Sequence, residues 1–235
     1  KSWLGIAFCT TLLLLSQFSG ATELADVIDG LRPSVVGIGT VRPARGSHKP
    51  AINFRGTGFV VGNGRQVITN YHVLPEKLDR ANKESLAIFV GRGKAGKAMA
   101  VKVLRKDKDH DLALLEIIEG SLPAMRLGVA AFIREGSDIA FTGFPIGMVL
   151  GLYPVTHKGI ISAITPIVIP AVASRSITAA QMKRMRNPFE VYQLDATAYP
   201  GNSGSPVYNR DTGEVIGVIN SVFVKGSKET CALCA

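Results

Sequence analysis

Tyr199-Pro200-Gly201-Asn202-Ser203-Gly204-Ser205-Pro206-Val207 is the stretch whose reading decides the fold. A serine stands between glycines, with β-prone residues before it (VYQLDAT, 191–197) and after it (EVIGVINSVFV, 214–224). Glycine allows a turn φ values closed to other residues and lets backbone N–H groups come close to a ligand. A serine held there can expose its hydroxyl and aim its own N–H at the same point, the arrangement of a nucleophile beside an oxyanion hole. Gly, Asn, Ser and Pro also dominate ordinary surface turns. The rest of the chain must separate the two readings.

With 235 residues, 46% hydrophobic and 19% charged, and with 25 glycines, the composition is that of a globular, β-rich protein of one large domain or two small ones. The net charge of +9 admits nucleic acid, an anionic membrane or acidic partners. The Lys and Arg residues, however, are scattered or lie in loops and follow no nucleic-acid-reading pattern, so nucleic acid is not an expected partner. Lys1, the apolar run Leu4–Leu15 and the small residues Ser19 and Ala21 form the pattern of a secretory signal peptide over 1–21. The run is too short for a membrane span of about 20 residues, so no stable membrane insertion is expected after cleavage. Loss of Lys1 would leave a charge of +9 − 1 = +8. The reading places the protein in the periplasm or outside the cell. Of three cysteines, Cys9 falls in the leader, and Cys231 and Cys234 form one CxxC without a second pair. That cannot complete a zinc site, and no metal or cofactor is expected.

Outward from the turn the chain reads as many short strands. After a helical ELADVIDGL (23–31), strand patterns fall at 34–41, at GTGFVV and RQVITN around Gly62-Asn63-Gly64, and at 86–90, 98–105, 111–117, 137–143 and 159–164. Three more fall at 191–197, 205–209 and 214–224. Asn-Gly between β-prone residues is a strong hairpin signal. Residues 42–55 read as a basic loop, PEKLDRANK (75–83) and ITAAQMKRMRN (177–187) as non-strand exceptions, and 120–136 as the joint between halves. The expectation is an all-β fold divided into halves 22–130 and 131–235.

A nucleophilic serine needs a base, and the base needs an acid to hold its tautomer. His48, His110 and His157 lie in less suggestive contexts, whereas His72 closes a strand in ITNYHVL directly after the hairpin. Asp107, Asp109 and Asp111 compete for the acid. Asp111 opens the apolar strand LALL and is best placed for half-burial against an imidazole, while Asp107 and Asp109 alternate with lysines as in a solvated turn. The order His72, Asp111, Ser203 is the order of the double-barrel serine proteases.

GTGFVV, ITNYHVL, DHDLALLEI, GFPIG, VTHKGIISAI, YQLDATAYPGNSGSPVYN and GEVIGVIN together resemble the protease domain of the HtrA/Deg family over about residues 34–224. The resemblance implies two six-stranded antiparallel β-barrels with the site between them. It implies a serine endopeptidase with His72 as base, Asp111 as orienting acid and Ser203 as nucleophile, acting on polypeptide substrates such as misfolded or envelope proteins. The N–H groups of Gly201 and Ser203 would form the oxyanion hole, with Asn202 shaping the turn. Tyr199, Asn220 and Ser221 would line the specificity pocket; none is acidic, which favours small or medium apolar side chains before the scissile bond. The family also implies homo-oligomers, often trimers. Three departures stand out. Ser205 replaces the usual glycine, 165–190 is long and basic, and GSKETCALCA shows neither the last strand of the second barrel nor a PDZ domain. The last strand is therefore expected to be missing, in a PDZ-less relative or a truncated chain. The competing reading is a catalytically silent, chaperone-like peptide binder on the same fold.

Overall fold

The computed structural model describes residues 23–44, 50–129, 131–145, 151–166, 189–224 and 228–233; the expected leader over 1–21 and the 177–187 segment lie outside them. Six strands form the first barrel: β1 (Val35–Arg42), β2 (Ala51–Val61), β3 (Gln66–Asn70), β4 (Ser85–Val90), β5 (Lys97–Asp107) and β6 (Leu112–Ile117). They close in the order β1-β2-β3-β6-β5-β4. The second barrel comprises β7 (Asp138–Gly143), β8 (Val155–Pro166), β9 (Glu190–Asp195), β10 (Pro206–Asn209), β11 (Val215–Val224) and β12 (Lys228–Leu233), in the order β10-β11-β12-β9-β8-β7. Neighbours pair antiparallel throughout. The expected all-β double barrel is thus the observed fold.

Side chains alternate between two faces along a strand, and here both faces are used. On β1 and β2, Val36, Ile38 and Val60 fill the first barrel, while Val35, Phe59 and Val61 point to the seam between barrels. On β7 and β11, Ile139, Phe141, Ile216 and Ile219 fill the second barrel, while Ala140, Val215 and Val218 meet the same seam. Strands buried on both faces read as continuous apolar runs, which explains FVV and VIGVI. The helix α1 (Leu24–Leu31) adds Leu24, Val27 and Leu31, three and four residues apart on one face, to the seam. The connection from β6 to β7 fastens the halves: Met125 N–H donates to Val60 O at 2.8 Å and Gly128 N–H to Val215 O at 2.8 Å.

Two expectations change. The last strand is present. Lys228–Leu233 pairs with β11 from Val224↔Lys228 to Val218↔Leu233, and with β9 from Thr230↔Leu194 to Leu233↔Val191. Lys-Glu-Thr-Cys-Ala-Leu is too short and polar to show a strand period; its conformation follows from the two ladders it fits between. Closure also removes the open edge that a missing strand would leave. Residues 51–55 are strand, not loop, because the β1–β2 register resumes after a bulge at Ile38/Gly39 and continues to Arg42↔Ala51. PEKLDRANK stays outside the strands as expected, with a single 3-10 turn, Arg80–Asn82, whose Asn82 N–H is capped by Asp79 Oδ1 at 3.2 Å.

Phe59 has 0% exposure at the seam. Phe59→Ala is expected to cost about 3–5 kcal/mol, whereas Leu127→Ala, at 54% exposure, should stay within about 0.5 kcal/mol. Urea unfolding measures both, and equal losses would contradict a seam that carries the stability.

Candidate active site

Three connections meet at the cleft between the barrels: the turn after β3, the turn before β6 and the loop from β9 to β10. Strands β3 and β6 pair as far as Asn70↔Leu112, which sets Tyr71-His72 beside Asp111. Tyr71 N–H donates to Asp111 O at 2.9 Å and Asn70 Nδ2 to the same oxygen at 3.1 Å. Asp111 has φ +57°, a left-handed conformation that aspartate tolerates better than most residues. Its carboxylate then receives two bonds from one residue. His72 N–H donates to Oδ1 at 2.9 Å, and the His72 ring Nδ1 lies 2.6 Å from Oδ2. A carboxylate only accepts, so Nδ1 carries the proton and Nε2 presents its lone pair. The Asp111 side chain is 11% exposed and the His72 side chain 48%. The acid is shielded and the base is open to the cleft, with Nε2 unbonded among the described residues. Asp107 instead caps its own turn, accepting Asp109 and His110 N–H groups at 3.0 and 3.1 Å and facing His110 Nδ1 at 2.7 Å. Those contacts, with its exposure, separate it from Asp111.

The Ser203 turn belongs to the second barrel but is held by the first. Thr57, on β2, donates its N–H to Ser203 O at 2.9 Å and its hydroxyl to Gly201 O at 2.8 Å. The same hydroxyl accepts Phe144 N–H at 3.0 Å, and Thr57 O accepts the Thr69 hydroxyl at 2.6 Å. Sequence reasoning passed over Thr57; the signal was the pair of glycines around it in Gly56-Thr57-Gly58. A Cβ on Gly56 would stand 3.0 Å from Ser203 O and 2.8 Å from a methyl of Val73, the residue after His72. Gly56 thus allows the serine turn and the histidine turn to close on one another.

Gly201 (φ +100°) and Gly204 (φ +86°) supply the backbone conformation that the sequence suggested. A Cβ on Gly204 would lie 2.0 Å from Thr57 O, so backbone contact as well as φ demands glycine there. Asn202 N–H donates to Tyr199 O at 3.0 Å, and Ser205 N–H to Asn202 O at 2.9 Å. Among the described residues the N–H groups of Gly201 and Ser203 donate to nothing. The Ser203 hydroxyl sits 3.5 Å from Asn220 O, a long contact, and makes no hydrogen bond to His72 among the described residues. Asn202 and Ser205 are fully buried. Ser205 Oγ occupies space within 2.0 Å of where a Gly143 Cβ would be, so Gly143 accommodates serine at this position.

Of the expected pocket residues, Tyr199 is exposed, Asn220 offers its carbonyl to Ser203, and Ser221 takes its place on β11 opposite Cys231. Beside Tyr199 lies His157. The His157 ring stacks on Phe141 at 4.9 Å and stands 5.8 Å from the Tyr199 ring. Among the described residues its Nε2 is buried without a partner. Burial pushes its pKa below the ordinary value of 6.5. Also among the described residues, no group of three or more His, Cys, Asp or Glu side chains could hold a metal ion, and no helix is long and apolar enough to cross a membrane.

The sequence profile of the trypsin-like peptidase domain matches residues 56–218. Among curated proteins, the mitochondrial serine protease HTRA2 of Drosophila willistoni is 32% identical over 206 residues, covering 86% of this chain and 42% of that protein. Serine protease HTRA1A of Danio rerio is 28% identical over 200 residues, covering 83% and 36%. The chain therefore spans about two fifths of the length of these relatives. Among solved structures, Deg5 aligns with a TM-score of 0.62 at 25% identity, over 89% of this chain and 87% of that one. The active form of the M. tuberculosis Rv3671c protease aligns at 0.64 and 22% identity, over 89% and 79%.

A half-buried histidine whose charged form is disfavoured makes stability depend on pH. Below about pH 6.5 the unfolded chain takes up a proton on His157 that the folded chain resists, so stability falls with pH until the depressed folded pKa is passed. His157→Phe should flatten the loss of stability between roughly pH 7 and 5, measured as urea midpoints across that range. An unchanged slope would contradict it.

Proposed function

The chain belongs to the trypsin-like peptidase domain family, and from that premise we propose that it is an HtrA/Deg-like serine endopeptidase acting on polypeptides. The observation that carries the reading is the His72–Asp111 pair, with Nδ1 fixed on the carboxylate and Nε2 open to a cleft whose far wall is the Ser203 turn. Ser203 Oγ attacks the substrate carbonyl as its proton passes to His72 Nε2. Asp111 stays ionised and holds the resulting imidazolium. The N–H groups of Gly201 and Ser203 meet the developing oxyanion, an interaction in which one donor is typically worth about 3–4 kcal/mol. Collapse expels the amine, which takes the proton from Nε2, and leaves an acyl-serine. Water then gives a proton to Nε2 as it attacks the ester, and collapse releases the acid as Nε2 returns that proton to Ser203 Oγ.

For this step the Ser203 hydroxyl turns from Asn220 O towards Nε2, a tightening that substrate binding commonly brings. Tyr199, Asn220 and Ser221 line the site for the residue before the scissile bond, and the absence of an acid among them supports cleavage after small or medium apolar side chains. The leader over 1–21 supports delivery to the periplasm or the exterior, and the family resemblance supports a homotrimer. The 3.5 Å Ser203–Asn220 contact favours a second reading, a silent peptide-binding protein, and one experiment separates the two.

A fluorophosphonate probe should label the protein at Ser203, with labelling abolished in Ser203→Ala and slowed by about 10⁴-fold or more in His72→Ala. Failure of the folded wild-type protein to label, with or without a bound peptide, would leave the binder.

A further inference from the structure

A cavity of about 340 Å³ opens beside the seam, lined by none of His72, Asp111 and Ser203, within the size range of small-molecule pockets and at the kind of boundary where they form. Its walls are carbon: Pro33, Val35, Val90, Leu122, Phe144 and Pro154. Val35 and Phe144 are almost fully buried. Prolines fix their backbone at φ near −65°, so two of these walls are preformed. Two cations also line the cavity. Arg32 forms an ion pair with Asp29 at 2.8 Å through one nitrogen and keeps the other donors of its fork. Arg92 is exposed, stands over the Tyr153 ring at 5.6 Å and has no acidic partner among the described residues.

Carbon walls with unspent guanidinium donors call for an amphiphile of one kind. A peptide would bring N–H and C=O groups that these walls leave unbonded. An alkyl chain brings none, and a terminal carboxylate matches the guanidinium fork. We propose that this cavity binds a free medium-chain fatty acid, with the chain against Val35, Val90 and Phe144 and the carboxylate on Arg92, assisted by Arg32. The lining shares no residue with the His72–Asp111–Ser203 set, and the proposal does not rest on the proposed peptidase activity.

Isothermal titration with sodium dodecanoate below its micellar concentration tests this directly. One-to-one, saturable binding with a Kd of about 0.1–1 mM is expected. Arg92→Glu should weaken it about tenfold or more, and Val90→Trp, which fills the cavity, should abolish it. Dodecyltrimethylammonium, with the same chain and opposite charge, should not bind. Thermal melts of both variants establish that they fold. If Val90→Trp does not fold, Arg92→Glu and the cationic analogue decide alone. Absence of saturable binding, equal binding of the cationic analogue, affinity unchanged in folded variants, or tighter binding of a Leu-Leu-Leu peptide would each overturn the assignment.

Discussion

Thr57 is the residue on which the geometry of the cleft depends. Its N–H, hydroxyl and carbonyl make four hydrogen bonds that tie Ser203 and Gly201 of the second barrel, Phe144 after β7 and Thr69 on β3 to one point on β2. His72 and Asp111 are carried wholly by the first barrel, and Ser203 by the second. Three side chains divided between two barrels keep their mutual geometry only if the barrels are fixed relative to each other. Buried hydrogen bonds serve that purpose because leaving either partner unpaired costs about 1–3 kcal/mol.

The seam core completes that constraint. Phe59, Val61, Ala140 and Val218 pack the barrels face to face, and Phe59 and Val61 lie two and four residues from Thr57 on the same strand. Strand alternation puts Thr57, Phe59 and Val61 on one face, so a single strand supplies both the apolar seam and the polar tie. The glycines finish the close approach. Gly56, Gly143 and Gly204 surround Thr57 at positions where a Cβ would meet backbone or buried polar atoms.

How much of this was legible in the sequence depends on the range of the interaction. The Gly62-Asn63-Gly64 hairpin was legible because a turn is a local event; Gly62 and Gly64 take the positive φ values expected of it. His72 and Asp111 were legible because each abuts an apolar strand whose pairing is short-range. The left-handed φ of Asp111, which orients its carboxylate, leaves no mark in composition. Thr57 was missed because a threonine in a strand is unremarkable, and its decisive partner Gly201 is 144 residues away. The fit of Ser205 against Gly143 is equally non-local, so serine appeared only as a small departure. Strand β12 was missed because its polar sequence takes its shape from β9 and β11 rather than from its own period.

Thr57→Val, which keeps the backbone N–H and the shape while removing the hydroxyl bonded to Gly201 O and Phe144 N–H, tests the central claim most directly. The hydroxyl ties the serine turn across the barrels, so its removal should disturb the placement of Ser203. The second-order rate of fluorophosphonate labelling of Ser203 should fall by about 10- to 100-fold, as expected for loss of a buried hydrogen-bonding group worth about 1–3 kcal/mol, while the protein remains folded by circular dichroism. A folded Thr57→Val protein labelled at the wild-type rate would contradict the account.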